Sequence, residues 1–281
     1  MYYVLCVLVF VLAYSLNIAT ITVGYHRALA HSAVRLSPRL RWMVIVWGSW
    51  ITGLDPKAWS VMHRMHHAYS DTTEDPHSPL NVGIIGIGME QLRSYERVLR
   101  GLKRNDPVYT RHAQDLDFEL SWVNRTRRWY LPYVLHVSVG LAIAASGAWL
   151  LGLAYFAGMM SHPIQGGMVN AFGHAIGGRN FETKDNSRNN LIVAWLVWGE
   201  GLQNNHHRHP KSAKFSYRSW EPDIGFTVCL LLETLGLLTI EYQYLIPTPP
   251  QHEAVVRTTR AIIEPQVRPT SVEGRRRPLA A

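Results

Sequence analysis

The sequence predicts an all-α protein: about three membrane helices carrying a cytoplasmic helical cap with a histidine-rich site for two metal ions. Three observations predict it. Apolar residues make up 47% of the 281 residues and charged residues only 17%, and the apolar ones are clumped. The longest clumps reach the roughly 20 residues that a spanning helix needs. Eight of the fourteen histidines gather in boxes where those clumps end. The densest box, residues 61–71, holds His63, His66 and His67 at steps of three and four, on one face of a helix. If charged they would repel one another; if neutral they form a nitrogen donor set for a metal.

Residues 2–23 contain no charge and predict the first span. A signal peptide fits less well, because a basic start and a small-residue cleavage site are both missing and a histidine box follows at once. Only one span fits ahead of His26. Either an upstream start was missed, or the N-terminus faces the side opposite the metals. Residues 42–54, closed by Asp55-Pro56, predict a buried or half-inserted helix. Pro76, Pro79 and the GIIGIG stretch predict a loop. Residues 90–128 are strongly charged, and Leu92, Tyr95, Leu99 and Leu102 recur at helical steps, as in an amphipathic helix on a lipid surface or on the domain. Residues 129–160 carry no charge and continue apolar to Phe172, enough for two spans in a hairpin turning between Gly140 and Gly147. Trp129, Tyr130 and Tyr133 fit an interfacial belt, and Arg125, Arg127 and Arg128 beside them mark the cytoplasmic side. Residues 224–247, interrupted by Glu233 and Glu241, predict a docked amphipathic helix. Residues 1–246 read as one domain and 247–281 as a disordered basic tail.

The net charge of +8 suits nucleic acid in principle. The cations flank apolar runs, however, and no binding motif is present, so a membrane surface or an acidic partner fits better. Cys6 and Cys229 lie in separate apolar runs and read as buried hydrophobes, not as a disulfide.

Beyond the dense box, His26 and His31 end the first apolar helix. His174 ends the hairpin with Asn170 one turn earlier, and His206 and His207 close a polar stretch beginning at Gly199. Eight imidazoles at one membrane face exceed what one tetrahedral zinc uses. Two ions of higher coordination would use them, and ligand type alone does not choose the metal.

The pattern HxxxxH, HxxHH, NxxxH and a final NNHH resembles the integral-membrane fatty acid desaturases, most closely the acyl-CoA (stearoyl-CoA) Δ9 type. Gly24-Tyr25-His26-Arg27, His63-Arg64-Met65-His66-His67 with Ser70-Asp71, and Asp75-Pro76-His77 carry the likeness, which covers roughly residues 15–210. It implies two iron ions held by His26, His31, His63, His66, His67, His174, His206 and His207, with Asn170 acting through a water. It implies O2 as co-substrate and two electrons from a separate ferredoxin- or cytochrome-like donor. The substrate would be a fatty acyl-CoA or acyl-lipid. Membrane lipid is a further partner and nucleic acid is not. Asp71, Asp75 and Glu200 are candidate acceptors for the outer N–H groups of ligand rings; helix caps or surface charges are the plainer alternative. Trp47, Trp50, Trp59, Trp195 and Trp198 lie near the boxes and could line an acyl tunnel. Arg93, Arg97, Arg100, Lys103 and Arg104 could meet a carrier's phosphates or an acidic donor, although membrane topology alone accounts for them.

One departure concerns the last box, where the family usually has histidine and this chain has Gln203, a poorer ligand through its amide oxygen. It leaves open a hydroxylase on the same scaffold or a non-catalytic lipid-binding member.

Overall fold

The computed structural model describes residues 1–245. The expected tail, 247–281, lies outside the described residues.

Uncharged residues wind into α1 (Tyr2–Ala19), which continues without interruption into a π-helical segment, Thr20–Ala30. The most apolar 18-residue window within them has a mean hydropathy of 2.4. Among the described residues they make the one helix long and apolar enough to cross a membrane. Leu8, Val11 and Leu12 face outward from it. After strand β1 (Val34–Leu36), α2 (Pro38–Thr52) begins behind the Ser37 cap, whose hydroxyl accepts from the Leu40 amide. Trp42, Met43 and Trp47 leave its outer face apolar and exposed.

The dense histidine box forms α3 (Pro56–Tyr69). Its start is fixed by buried Asp55. One carboxylate oxygen accepts from the amides of Lys57 at 2.9 Å and Ala58 at 3.1 Å, and the other from the amide and hydroxyl of Ser121. An exposed cap of this kind contributes ~1 kcal/mol; here it also fastens a distant loop.

The stretch around Pro79 and GIIGIG, expected as a loop, is helical and opens α4 (Pro79–Lys103). The reason is positional. Ser78 caps the Leu80 amide, and Pro79 occupies the first turn, where a proline starts a helix instead of breaking it. The break is confined to Gly83, at φ 72° and ψ 164°, which only glycine adopts freely. Two short helices follow, α5 (Pro107–Thr110) and α6 (Trp122–Arg125), with a 3-10 turn, Arg111–Ala113, after α5.

The expected hairpin is present as α7 (Leu131–Ala145) and α8 (Trp149–Met159). Each is shorter than a bilayer crossing, and after a bend the chain resumes as α9 (His162–Phe172). Gly140 and Gly152 allow the close packing: a Cβ on Gly152 would fall 2.3 Å from the Gly140 carbonyl oxygen.

The remaining helices are α10 (Leu191–Leu196), α11 (Gln203–Arg208) and α12 (Ile224–Thr234). The helix expected over 224–247 stops at Thr234, and Leu238–Ile240 forms β2, antiparallel to β1 with Val34 opposite Ile240. This ladder departs from the all-α expectation: three-residue strands are too short to leave a period in the sequence. The core that positions the histidines joins the π segment, α3 and α4 through Tyr25, Val61 and Val98.

Candidate metal centre

His26 and His31 are five residues apart, which in an α-helix sets side chains about 140° apart. The π segment bonds each residue to the fifth along, and the His31 amide donates to the His26 carbonyl at 3.1 Å. The two rings therefore meet, with centroids 5.1 Å apart. Arg64, inside the dense box, grips the end of this segment by donating to the carbonyls of Leu29 and Ala30 at 2.9 and 2.8 Å. Sequence reasoning assigned Arg64 no role.

The eight histidines from four boxes fall into two adjoining groups. His26, His31, His63, His67 and His206 form one, and His66, His174 and His207 the other; in each, one ring nitrogen per residue lies within 4.8 Å of the rest. Within the first, Nε2 of His26 lies 2.9 Å from Nε2 of His206, and Nε2 of His31 lies 2.8 Å from that of His63. His67 and His207, one from each group, have ring centroids 4.4 Å apart.

Carboxylates sit behind four of the rings. Glu200 lies 2.6 Å from Nδ1 of His26, Asp75 2.9 Å from that of His66, Asp71 3.0 Å from that of His174 and Asp185 2.7 Å from that of His207. A carboxylate can only accept, so each Nδ1 carries the proton and each Nε2 turns a lone pair inward. Burial, then neighbouring imidazoles, hold His31, His63, His67 and His206 well below the usual histidine range, with Arg64 and Arg27 adding to this at His31. Burial also takes His207 down to about 3, against the pull of Asp185. At His66 burial is outweighed by Asp75, and the ring is raised.

Ring nitrogens crowded this closely form a donor set that a cation would satisfy. Nε2 of His174 and of His207 is buried with no hydrogen-bond partner, which marks the same need. The residues present fit metal ions, and eight imidazoles fit two better than one.

Three supports went unread in the sequence. Asp185 lies in a polar loop far from any box. Arg27 is fully buried; it donates to Glu200 at 3.0 Å, to Asp223 at 2.9 Å and to the Ala213 carbonyl at 2.8 Å, with its guanidinium 3.8 Å from the Phe215 ring. Its place beside His26 was the available signal. Asn204 and Asn205, also buried, fasten α11: Asn204 accepts from the amides of Asn180 and Phe181, and Asn205 donates to the Phe215 carbonyl.

Gln203 shares the α11 face of His206 and His207. Its amide donates to the Glu200 carbonyl at 2.8 Å, and its Cγ lies against Gly173, beside His174. Asn170 donates to Gln91 at 3.2 Å. His77 stacks on His66 with centroids 4.7 Å apart. Gln203, Asn170, His63 and His66 line one cavity of about 410 Å³, continued by Trp59, Met62 and Val169. Of the tryptophans expected to line it, Trp59 does. Trp47 and Trp195 instead point outward, 49% and 63% exposed. Trp129, expected in the interfacial belt, reaches the cavity edge.

Buried imidazoles backed by carboxylates, beside a largely apolar cavity, make up a candidate metal centre. The profile of the fatty acid desaturase family matches residues 2–224. The chain is 30% identical over 256 residues to a hex-5-enoyl-(acyl-carrier protein) acetylenase of Moorena producens, covering 86% of this chain and 77% of that protein. It is 31% identical over 224 residues to an sn-1 stearoyl-lipid 9-desaturase of Synechocystis, covering 77% and 65% respectively. An icosanoyl-CoA 5-desaturase of Limnanthes douglasii is 29% identical over 230 residues, covering 81% and 62%. The chain belongs to the fatty acid desaturases, oxidoreductases that act on fatty acyl chains.

Proposed function

We propose that the chain introduces a double bond, of Δ9 type, into the acyl chain of an acyl-CoA or acyl-lipid. The observation that carries this reading is the meeting of two imidazole groups with one apolar cavity. His26, His31, His63, His67 and His206 would hold one iron. His66, His174 and His207 would hold the other, with Asn170 through a water and Gln203 beside it. Two irons bound there, with O2 and electrons from a separate ferredoxin- or cytochrome-like donor, would supply the oxidising power that no side chain has against a methylene.

The protein's own part is placement. Trp59, Met62 and Val169 hold the chain dry, and one C–C bond rests beside His63 and His66. Asp71, Asp75, Asp185 and Glu200 hold each ring's proton outward and its lone pair inward. The chain is an integral membrane protein in one domain over 1–246, with the centre on the cytoplasmic side. Among the described residues α1 and the π segment form its one full-length span; the α7–α8 hairpin supplies the other two of about three expected spans only if residues flanking its short helices complete the crossings. The outward apolar faces of α1 and α2, and Arg125, Arg127 and Arg128 beside Trp129, support that topology.

Similarity to the acetylenase favours a second reading, in which an already unsaturated chain loses two further hydrogens. Expression in a host lacking its own desaturase, with mass spectrometry of the acyl chains, tests both. Wild type is expected to yield chains two hydrogens lighter and His66→Ala none. Unsaturation persisting in His66→Ala would refute the assigned site, and a gain of oxygen would identify a hydroxylase.

A further inference from the structure

The turn that joins α2 to α3 consists of Gly53 and Leu54 and runs straight into the Asp55 cap. The last carbonyls of a helix have no partner inside it. Here they meet side chains from distant parts of the chain. Nε2 of His136, on α7, lies 2.7 Å from the Trp50 carbonyl. Beyond it, three tyrosine hydroxyls hold three consecutive residues. Tyr133 of α7 donates to the Gly53 carbonyl at 3.2 Å, and Tyr25 of the π segment donates to the Leu54 carbonyl at 3.0 Å. Tyr95 of α4 accepts from the Asp55 amide at 2.7 Å. The fit leaves no slack at Gly53: its φ is 76°, and a Cβ there would fall 2.7 Å from the Tyr133 hydroxyl oxygen. Burial accounts for a partner at each backbone group. That the partners come from three elements also ties those elements to one point.

The chain on either side of this point forms the histidine cavity. Thr52, Leu54, Trp59, Met62, His63 and His66 all line it, so the stretch 52–66 supplies both a wall and rings of the metal centre. Tyr95 and Tyr133 line the same cavity from α4 and α7. Along α3, His63 and His66 stand roughly 10 and 15 Å from Pro56. A shift of the start of α3 carries these rings with it, past the α4 and α7 walls.

Resting on the acyl reading above, we propose that Tyr25, Tyr95 and Tyr133 are positioning residues that fix the register between acyl chain and metal centre, and so select which C–C bond becomes the double bond. The chain rests on walls from α3, α4 and α7 together, and the bond that reacts is the one beside His63 and His66. Slack of one methylene between α3 and the other walls presents the neighbouring bond instead. The hydroxyls carry the effect and the rings do not, because phenylalanine keeps the ring and gives up the bond to the turn.

The test uses the full chain as wild type, Tyr95→Phe, Tyr133→Phe and the two combined. Tyr69→Phe is the control: its hydroxyl is on α3 but accepts from Arg111, outside the cavity. Each is expressed in a host lacking its own desaturase, and the double-bond position is read by mass spectrometry of dimethyl disulfide adducts. The share of neighbouring positional isomers is expected to rise about tenfold in the double variant and about threefold in each single one, as loss of neutral hydrogen bonds implies. It should not rise in Tyr69→Phe. Hydrogen exchange of the amides around Asp55, followed in the metal-free chain in detergent, is expected to quicken in Tyr95→Phe. Unchanged exchange there overturns the pin. An isomer share that stays at the wild-type level, or rises equally in Tyr69→Phe, overturns the register and leaves the acyl reading standing. A variant that folds yet makes no product assigns the hydroxyls to activity and also overturns it. Should the double variant fail to fold, the single variants decide. A wild-type chain that makes no unsaturated product overturns the acyl reading and this proposal together.

Discussion

The two histidine groups are built differently. The five-ring group draws on the π segment, α3 and α11, and one of its rings is backed by a shared network, Glu200 with Arg27 and Asp223. In the three-ring group each ring has its own carboxylate, and Gln203 and Asn170 share the cavity wall with His66. One group is rich in ligands and the other ligand-poor, and both reach the cavity, the first through His26 and His63 and the second through His66. The pair teaches that ligand number and outer support are separate variables: where rings are fewer, each is held more individually.

The contrast can be broken or sharpened by substitution. The largest effect is expected from His63→Ala, which removes a ring shared by the five-ring group and the cavity wall. Activity should fall by more than about a hundredfold, with loss of bound iron measured by elemental analysis. Retention of both ions would show the group to be over-provided. Arg27→Leu strands two buried carboxylates, so stability should drop by about 3–5 kcal/mol, read by thermal or denaturant unfolding in detergent. An unchanged midpoint would mean that Glu200 and Asp223 do not depend on the guanidinium.

Asp185→Asn acts on the three-ring group alone. Affinity for one ion of the two should fall about 10–100-fold in a metal titration while the other is unmoved; equal weakening of both would erase the distinction between the groups. The smallest effect is expected from Gln203→His, which adds a ring beside His174. It should tighten the weaker ion about tenfold, equivalent to ~1.4 kcal/mol. No change would show that the Gln203 position does not face the metal.

The histidine boxes were legible because imidazoles at helical steps beside apolar runs have few other uses. The hairpin was legible from its missing charges. What escaped is held by contacts between distant residues or by positions whose meaning depends on context. Asp185 supports His207 across 22 residues of chain, through a loop with no spacing rule. Arg27 reads as a surface cation until its partners Glu200 and Asp223, more than 170 residues away, are known. The glycines of GIIGIG read as loop because glycine is costly in a helix, yet only Gly83 leaves the helical path. The β1–β2 ladder is three residues deep on each side, below the length at which alternation identifies a strand.

The widened coil of Thr20–Ala30 limits how this stretch can vary in length. Dropping one residue between His26 and His31 would leave them four apart, a step that ordinary α-helical winding already aligns, and the wide turn would lose its purpose. Adding one would carry His31 a further residue step round the axis and out of the group. A deletion would be tolerated only if the stretch rewound as an ordinary α-helix, and an insertion would not be tolerated.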